Sequence, residues 1–214
     1  MSKGVPYSSV LLLLTLLSSA CASANQTTPP PEIIPADCES SPIAQRPLVD
    51  LINDLQRYDY CVRLSAARAI AAMGEEASSA VPALTANLYY DGPWEMRSSA
   101  AYALGQIGSE SQPAVPVLIA ALLADFVHVQ SAAASALGRI GDRSAVPALA
   151  LALQNESPDV AVGAAEAIAI LTGQQFPGLG GPGYELNDEG VPLIVVAAQK
   201  WWDQQGRQEP WVMP

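Results

Sequence analysis

Apolar residues recur in a pattern that repeats roughly every 31 to 34 residues from Leu48 onwards. In the first half of each repeat they are spaced three and four residues apart, which places them on one face of a helix. These residues are Leu48, Leu51 and Leu55; Val81, Leu84 and Leu88; Val115, Leu118 and Leu122; and Val146, Leu149 and Leu153. Three repeats contain Ala-Val-Pro at this point, and proline fits the first turn of a helix because its missing N–H has no partner there. The pattern predicts one such first helix in each repeat.

The second half of each repeat predicts another helix, rich in alanine. An apolar residue is followed four and five residues later by Ala-Ala, starting from Val62, Met96, Val129 and Val160. Glycine ends three of these helices, at Gly74, Gly108 and Gly141, because a left-handed cap requires a residue without Cβ. Each repeat is therefore predicted to be a helical hairpin whose core is completed only against its neighbours.

The second-helix motif resembles a known repeat family. Val62-Arg63-x-x-Ala66-Ala67 and Met96-Arg97-x-x-Ala100-Ala101 are similar to HEAT repeats of the short bacterial type named for phycobilisome-lyase-like proteins. The resemblance covers about residues 48–173 and implies an all-α fold, an α-solenoid of about four HEAT-like hairpins with a C-terminal capping helix. The basic residue of the motif is replaced by Gln130 and Ala161 in the last two repeats, so a continuous ladder of Asp–Arg pairs is not predicted.

Composition divides the chain into further segments. Residues 1–20 combine Lys3 with a short apolar run and are predicted to be a signal peptide. Residues 21–46, rich in Pro, Ser and Thr, are predicted to be a disordered tether. The repeats occupy residues 47–173, a Gly/Pro-rich loop follows at 174–190, and a capping helix with a tail takes 191–214. Val195, Ala198 and Trp202 of this last helix are expected to cover the last repeat.

The cysteines bear on the cellular location. Leu17-Ser18-Ser19-Ala20-Cys21 resembles a bacterial lipobox, in which the cysteine becomes the lipidated first residue, whereas Ala22-Ser23-Ala24 is an ordinary cleavage site. Lipidation of Cys21, soluble secretion and an uncleaved anchor therefore stay open, and the first is preferred. Lipidation leaves Cys38 and Cys61 in an oxidising compartment, where we expect them to form a disulfide; the alternative is two unpaired thiols.

Charge and residue counts exclude several functions. The chain has 10 basic and 21 acidic residues and a net charge of −11, so it lacks the cationic surface that nucleic acids require. A single histidine and three scattered cysteines do not make a metal site. No Ser-His-Asp constellation or phosphate loop is present. We therefore expect no metal, no cofactor and no enzymatic activity.

Aromatic and basic residues are the candidates for binding a partner. The turns between paired helices carry Tyr58, Tyr60, Tyr90, Trp94, Phe126 and His128, and stacking in register places equivalent turns along one edge. Arg63, Arg97 and Tyr102 add to the surface of the second helices, where Arg68, Ser135 and Glu166 share the position of Tyr102. These residues suit a protein or an extended peptide, including an acidic one. Alternatively, the rings fill gaps between hairpins and the polar residues form an ordinary solvated surface.

The preferred interpretation is a non-catalytic scaffold for protein–protein interaction on the periplasmic side of a bacterial envelope. It touches the membrane, expected to be the outer membrane, only through the lipid on Cys21. Two alternatives remain. One is an accessory or lyase-like protein, which the resemblance to phycobilin lyases implies, and the other is a purely structural envelope protein.

Overall fold

The computed structural model describes residues 46–89, 92–177, 185–187 and 191–208. The predicted signal peptide and all of the predicted tether except Arg46, with Cys21 and Cys38, lie outside these residues, as does Tyr90. Cys61 is disulfide-bonded, and because both other cysteines lie outside the described residues, its pairing with Cys38 stays a prediction.

Over the described residues the structure confirms the predicted fold class, an all-α solenoid of four helical hairpins followed by a capping helix. The hairpins are α1 (Leu48–Asp54) with α2 (Tyr60–Met73), α3 (Val81–Tyr89) with α4 (Trp94–Ile107), α5 (Val115–Ala124) with α6 (Val127–Ile140), and α7 (Val146–Ala152) with α8 (Pro158–Thr172). The capping helix is α9 (Leu193–Gln204). Short 3-10 helices at Gly74–Ala80, Gly108–Ala114 and Arg143–Ala145 join consecutive hairpins.

Glycine and proline lie where the pattern predicts helix ends and starts. The second helices are each followed by a glycine with positive φ, at Gly74, Gly108, Gly141 and Gly173, a conformation that is strained for a residue with Cβ.

Among the described residues, the stretch Trp94–Ala124 is the one that is long and apolar enough to span a membrane. It consists of α4, the turn that contains Gly108, and α5.

The second helices of the last three hairpins pack with their backbones in contact. A Cβ placed on Gly105 of α4 would lie 2.8 Å from the Cα of Ala136 in α6. A Cβ on Gly138 of α6 would lie 3.0 Å from the Cα of Ala167 in α8. Only glycine permits this approach, because van der Waals contact between carbon atoms lies near 3.5 to 4.0 Å. The first helices complete the core with fully buried leucines such as Leu84, Leu118 and Leu149.

The capping helix packs against both helices of the last hairpin. Gln199 Nε2 in α9 donates to the carbonyl of Leu153 at the end of α7, at 3.0 Å. In the same way, Asn87 Nδ2 in α3 donates to the carbonyl of Leu55 at the end of α1, at 3.1 Å. Each amide satisfies a carbonyl that the end of a helix leaves without an intrahelical partner. The last hairpin is thus closed by the same kind of contact that joins the first two.

The apolar face of α9 differs in one residue from the sequence-based prediction. Val195 and Ala198 are buried as expected, but Trp201 is the more deeply buried tryptophan and Trp202 is only partly covered. The Trp201 ring lies edge-on to Phe176 with centroids 6.2 Å apart. Periodicity alone does not tell which of two adjacent tryptophans is the more buried, because the apolar face of a helix is wide enough to include either one.

The turn before α7 links its hairpin to the preceding one through Asp142. The carboxylate accepts the backbone N–H of Ser144 at 2.9 Å and the side-chain amide of Gln112 at 3.3 Å. Burial alone would raise the pKa of Asp142, but these hydrogen bonds stabilise the ionised form and hold the pKa below its ordinary value. Its contribution to stability is therefore complete at neutral pH and is lost as the pH falls through this lowered pKa.

An ion pair near the start of α4 joins the second hairpin to the third. Arg97 Nε lies 2.8 Å from Oδ2 of Asp125 and Nη2 lies 2.7 Å from Oδ1, while Nη1 donates to the carbonyl of Gly92. The guanidinium also lies 5.6 Å from the centroid of the Phe126 ring. Arg97 is 8% exposed, so this bidentate pair is largely shielded from water.

One hairpin later, a neutral pair takes the same place. Asn155 Nδ2 donates to Oε1 of Gln130 at 3.2 Å, and its Oδ1 accepts the backbone N–H of Ser157 at 2.9 Å. The ladder of polar contacts therefore continues without charge where the sequence departs from the Arg-containing motif. At the next position, Ala161 has no polar side chain with which to extend it.

The charged pair and the neutral pair together predict how the effects of two substitutions on stability combine. Arg97→Gln or Asp125→Asn alone should lower the free energy of unfolding by about 2 to 4 kcal/mol, because each leaves a shielded charge without its partner. The double variant recreates the pair found at Gln130 and Asn155, so we expect it to recover at least half of the loss. Urea denaturation of the four proteins measures this. Strictly additive losses would show that the two side chains do not act as a pair.

Candidate functional site

The second helices of the last three hairpins line a groove of about 430 Å³. We call it the second-helix groove. Its walls come from the N-terminal and middle turns of α4, α6 and α8, in that order across the solenoid. The backbone contact at Gly105 and Gly138 sets the spacing of the three helices, so the groove is a direct consequence of how the hairpins stack.

An aromatic pair forms the α4 end of the groove. The rings of Trp94 and His128 are stacked with centroids 4.4 Å apart and planes inclined by 28°. Trp94 is half-buried against the core and His128 is exposed. The stack therefore connects consecutive hairpins and also presents ring surface at the end of the groove.

The rest of the groove combines hydroxyl and carboxylate groups with the apolar or small residues Val127, Ala132 and Gly163. Ser98, Ser131 and Ser135 contribute hydroxyl groups from α4 and α6. Asp159 and Glu166 contribute carboxylates from α8, and no lysine or arginine lines the groove. Hydroxyls can both donate and accept hydrogen bonds, whereas ionised carboxylates only accept. The lining thus suits a ligand that carries donors and positive charge.

The structure distributes the predicted basic residues differently from the expectation of a basic surface. Arg97 is held in the buried pair with Asp125, and its guanidinium does not face the groove. Arg63 is half-buried, and Arg68 is exposed on α2, outside the groove. Tyr102 is 53% exposed on α4. An acidic partner would therefore meet two carboxylates in the groove rather than the predicted arginines.

The predicted row of turn aromatics divides into two groups. Tyr58 and Phe126 are exposed, as is Tyr89 beside the second turn. Tyr60 and Trp94 are partly buried and pack against the core. Some of the described rings therefore fill space between hairpins while others face solvent, and binding of a partner by the exposed rings stays a prediction. Groups of His, Cys, Asp or Glu able to hold a metal ion do not occur within the described ranges.

Sequence reasoning placed Ser135 and Glu166 on the exposed second-helix surface but missed Asp159 and Gly163 as part of a site. The available signal was Gly163, which occupies the position of Ser65, Ser99 and Ala132 in the other repeats. Glycine in the middle of a helix costs about 1 kcal/mol relative to alanine and so requires an explanation.

Solved structures of engineered proteins resemble this chain. One is 22% identical and aligns with a TM-score of 0.52 over 78% of this chain and 77% of its own. Another is 28% identical, with a TM-score of 0.49 over 60% of this chain and 68% of its own. The first of these likenesses supports the fold alone. No curated protein matches the chain.

A third solved structure is the complex of CpcE and CpcF of phycocyanin lyase from Nostoc sp. PCC7120. It is 28% identical with a TM-score of 0.49, over 68% of this chain and 71% of the matched chain. Because this match is to a component of a lyase, it contradicts the sequence-based expectation that the chain is not an enzyme, and that expectation is withdrawn. A TM-score of 0.49 does not transfer the lyase activity to this chain.

The family assignment rests on the repeats themselves. The family model for HEAT repeats matches residues 46–128 and 115–177, which together span more than half of the chain and include all four hairpins. Helical hairpins stacked in register through their second helices are the architecture that this family predicts. The chain belongs to the HEAT-repeat family.

Proposed function

We propose that this protein is a HEAT-repeat scaffold that binds an extended segment of a partner protein across the second-helix groove. The observation that carries the proposal is that side chains from α4, α6 and α8 line one continuous groove. A segment lying across the helices would contact three consecutive hairpins, as binding surfaces on solenoids allow. Repeats of this family commonly serve as scaffolds for protein interaction.

The groove is suited to binding because its polar lining is independent of the core. Ser135 and Asp159 are exposed, and neither belongs to the buried cluster that holds the hairpins together. The helices beneath them are fixed by backbone contact at Gly105 and Gly138. A surface held in place by such packing loses little conformational entropy when a partner binds.

The proposed location follows from the N-terminal sequence. A lipid on Cys21 and the tether up to residue 46 would hold the scaffold at the periplasmic side of the envelope, in the plane of the membrane. Confinement to the membrane raises the effective concentration of the scaffold for envelope partners. Soluble secretion after cleavage at Ala22-Ser23-Ala24 is the competing route.

Photo-crosslinking in cells tests the binding face. A photo-reactive phenylalanine derivative at Ser135, in the groove, should give one discrete crosslinked species with a partner protein. The same derivative at Ala120, exposed on the opposite helix of the same hairpin and absent from the groove lining, should give none. Equal crosslinking at both positions, or none at Ser135 in a folded protein, would refute the proposed function.

The anchor is tested separately by cell fractionation. Cys21→Ser removes the thiol that would carry the lipid, so the protein should move from the membrane fraction to the soluble fraction. Cys38→Ser is the matched control, since it makes the same substitution at the cysteine expected to pair with Cys61 and does not touch the lipobox, and should leave the protein with the membranes. A Cys21→Ser protein that still sediments with membranes would exclude the lipid anchor.

A further inference from the structure

We infer that the partner segment bound in the second-helix groove is basic. A Lys or Arg side chain of the segment would lie between Asp159 and Glu166, and an apolar or aromatic residue of the same segment would pack against the Trp94–His128 stack. This inference rests on the proposed function, whose groove it occupies, and adds the chemistry of the partner.

The charges of the groove favour a cation. Asp159 and Glu166 are seven residues apart on α8, so they lie on the same face, roughly two turns or about 10 Å apart along the axis. Neither carboxylate forms an ion pair with a residue in the described part of the chain. Two carboxylates that no basic side chain neutralises attract a positively charged group and repel an acidic one.

Helix termini do not reverse this preference. The N-termini of α4, α6 and α8 each contribute about half a positive charge at this end of the helices. Glu95 and Asp159 lie in the first turns of α4 and α8 and offset the contribution of those two helices, whereas the first turn of α6 has no acidic residue. Glu166 lies farther along α8, so its charge acts on the groove without an opposing terminus nearby.

Gly163 leaves space between the two carboxylates. It lies about one helical turn after Asp159 and about one turn before Glu166, and it lines the groove. A Cβ on Gly163 would be 3.6 Å from the Cβ of Ala134, an ordinary contact, whereas a Cβ on Gly105 would press on backbone at 2.8 Å. Packing therefore does not require glycine at position 163. Its absent side chain opens room for the methylene stem of a Lys or Arg whose charged head reaches a carboxylate.

The other components of the groove fit the remaining parts of an extended segment. Ring surface at Trp94 and His128 provides an apolar platform at the α4 end. Ser131 and Ser135 lie between this platform and α8, where their hydroxyls can bond the peptide backbone. An apolar residue followed at a short distance by a basic one is thus the partner pattern that the groove fits.

Fluorescence polarisation with labelled peptides tests this chemistry. The probe repeats Ser-Phe-Ser-Arg three times, and the two comparison peptides replace every Arg by Glu or every Phe by Gly. We expect the Phe/Arg peptide to bind and the other two to bind about tenfold more weakly or not at all. An acidic peptide that binds as tightly as the basic one would overturn the inference.

Substitutions locate the binding. Asp159→Asn with Glu166→Gln should weaken the Phe/Arg peptide about tenfold. Glu75→Gln with Glu76→Gln makes the same change in net charge at exposed residues outside the groove, and should leave the affinity unchanged. Equal weakening by both double variants would show that only the overall charge acts, and would overturn the inference.

Gly163 provides a test that does not depend on charge. Gly163→Leu should abolish peptide binding by filling the space between the carboxylates. Gly163→Ala, which the fold accommodates, should bind at least threefold more weakly while its unfolding midpoint is unchanged or higher. Unchanged binding by both variants would contradict the inference.

The inference and the proposed function can fail separately. Failure of all peptides to bind while Ser135 still crosslinks a partner would overturn only the inference that the segment is basic, whereas loss of the Ser135 crosslink would overturn the proposed function itself.

Discussion

The backbone contact among the second helices α4, α6 and α8 is the constraint on which the rest of this structure depends. Gly105 lies against Ala136, and Gly138 lies against Ala167, at distances that leave no room for another Cβ. This approach sets the separation of the hairpins. It explains the alanine-rich second helices, because larger residues at the facing positions would force the helices apart. The leucines of the first helices then fill the remaining space on the other side.

Because packing sets the spacing of the hairpins, the polar contacts between them can vary in chemistry. The pair between Arg97 and Asp125 is charged and bidentate, whereas Gln130 and Asn155 make a single neutral hydrogen bond at the equivalent place. This variation has a functional consequence. Arg97, which was expected on the binding surface, instead forms an ion pair between two hairpins. The charge of the groove is therefore set by the carboxylates of α8.

The fold could be predicted from the sequence in detail, but the site only in part. Helix periodicity, Ala-Val-Pro and the terminal glycines are local signals that repeat, so each repeat supports the others. The burial of Arg97 depends on its ion pair with Asp125, which lies 28 residues later in a turn. Periodicity predicts which face of a helix a residue occupies, but not which distant residue it contacts. The groove requires side chains from three helices, and the role of Gly163 becomes visible only when its free space is compared with that of Gly105.

The stability of three glycine-to-alanine variants tests the central constraint most directly. All three sites lie within second helices, so alanine should gain up to about 1 kcal/mol from helix propensity at each. We predict that Gly163→Ala shows this gain, while Gly105→Ala and Gly138→Ala lose about 1 to 3 kcal/mol because the added methyl presses on the backbone of the next helix. Chemical denaturation gives the three values. If Gly105→Ala and Gly138→Ala were stabilised as much as Gly163→Ala, backbone contact between second helices would not be what sets the spacing of this solenoid.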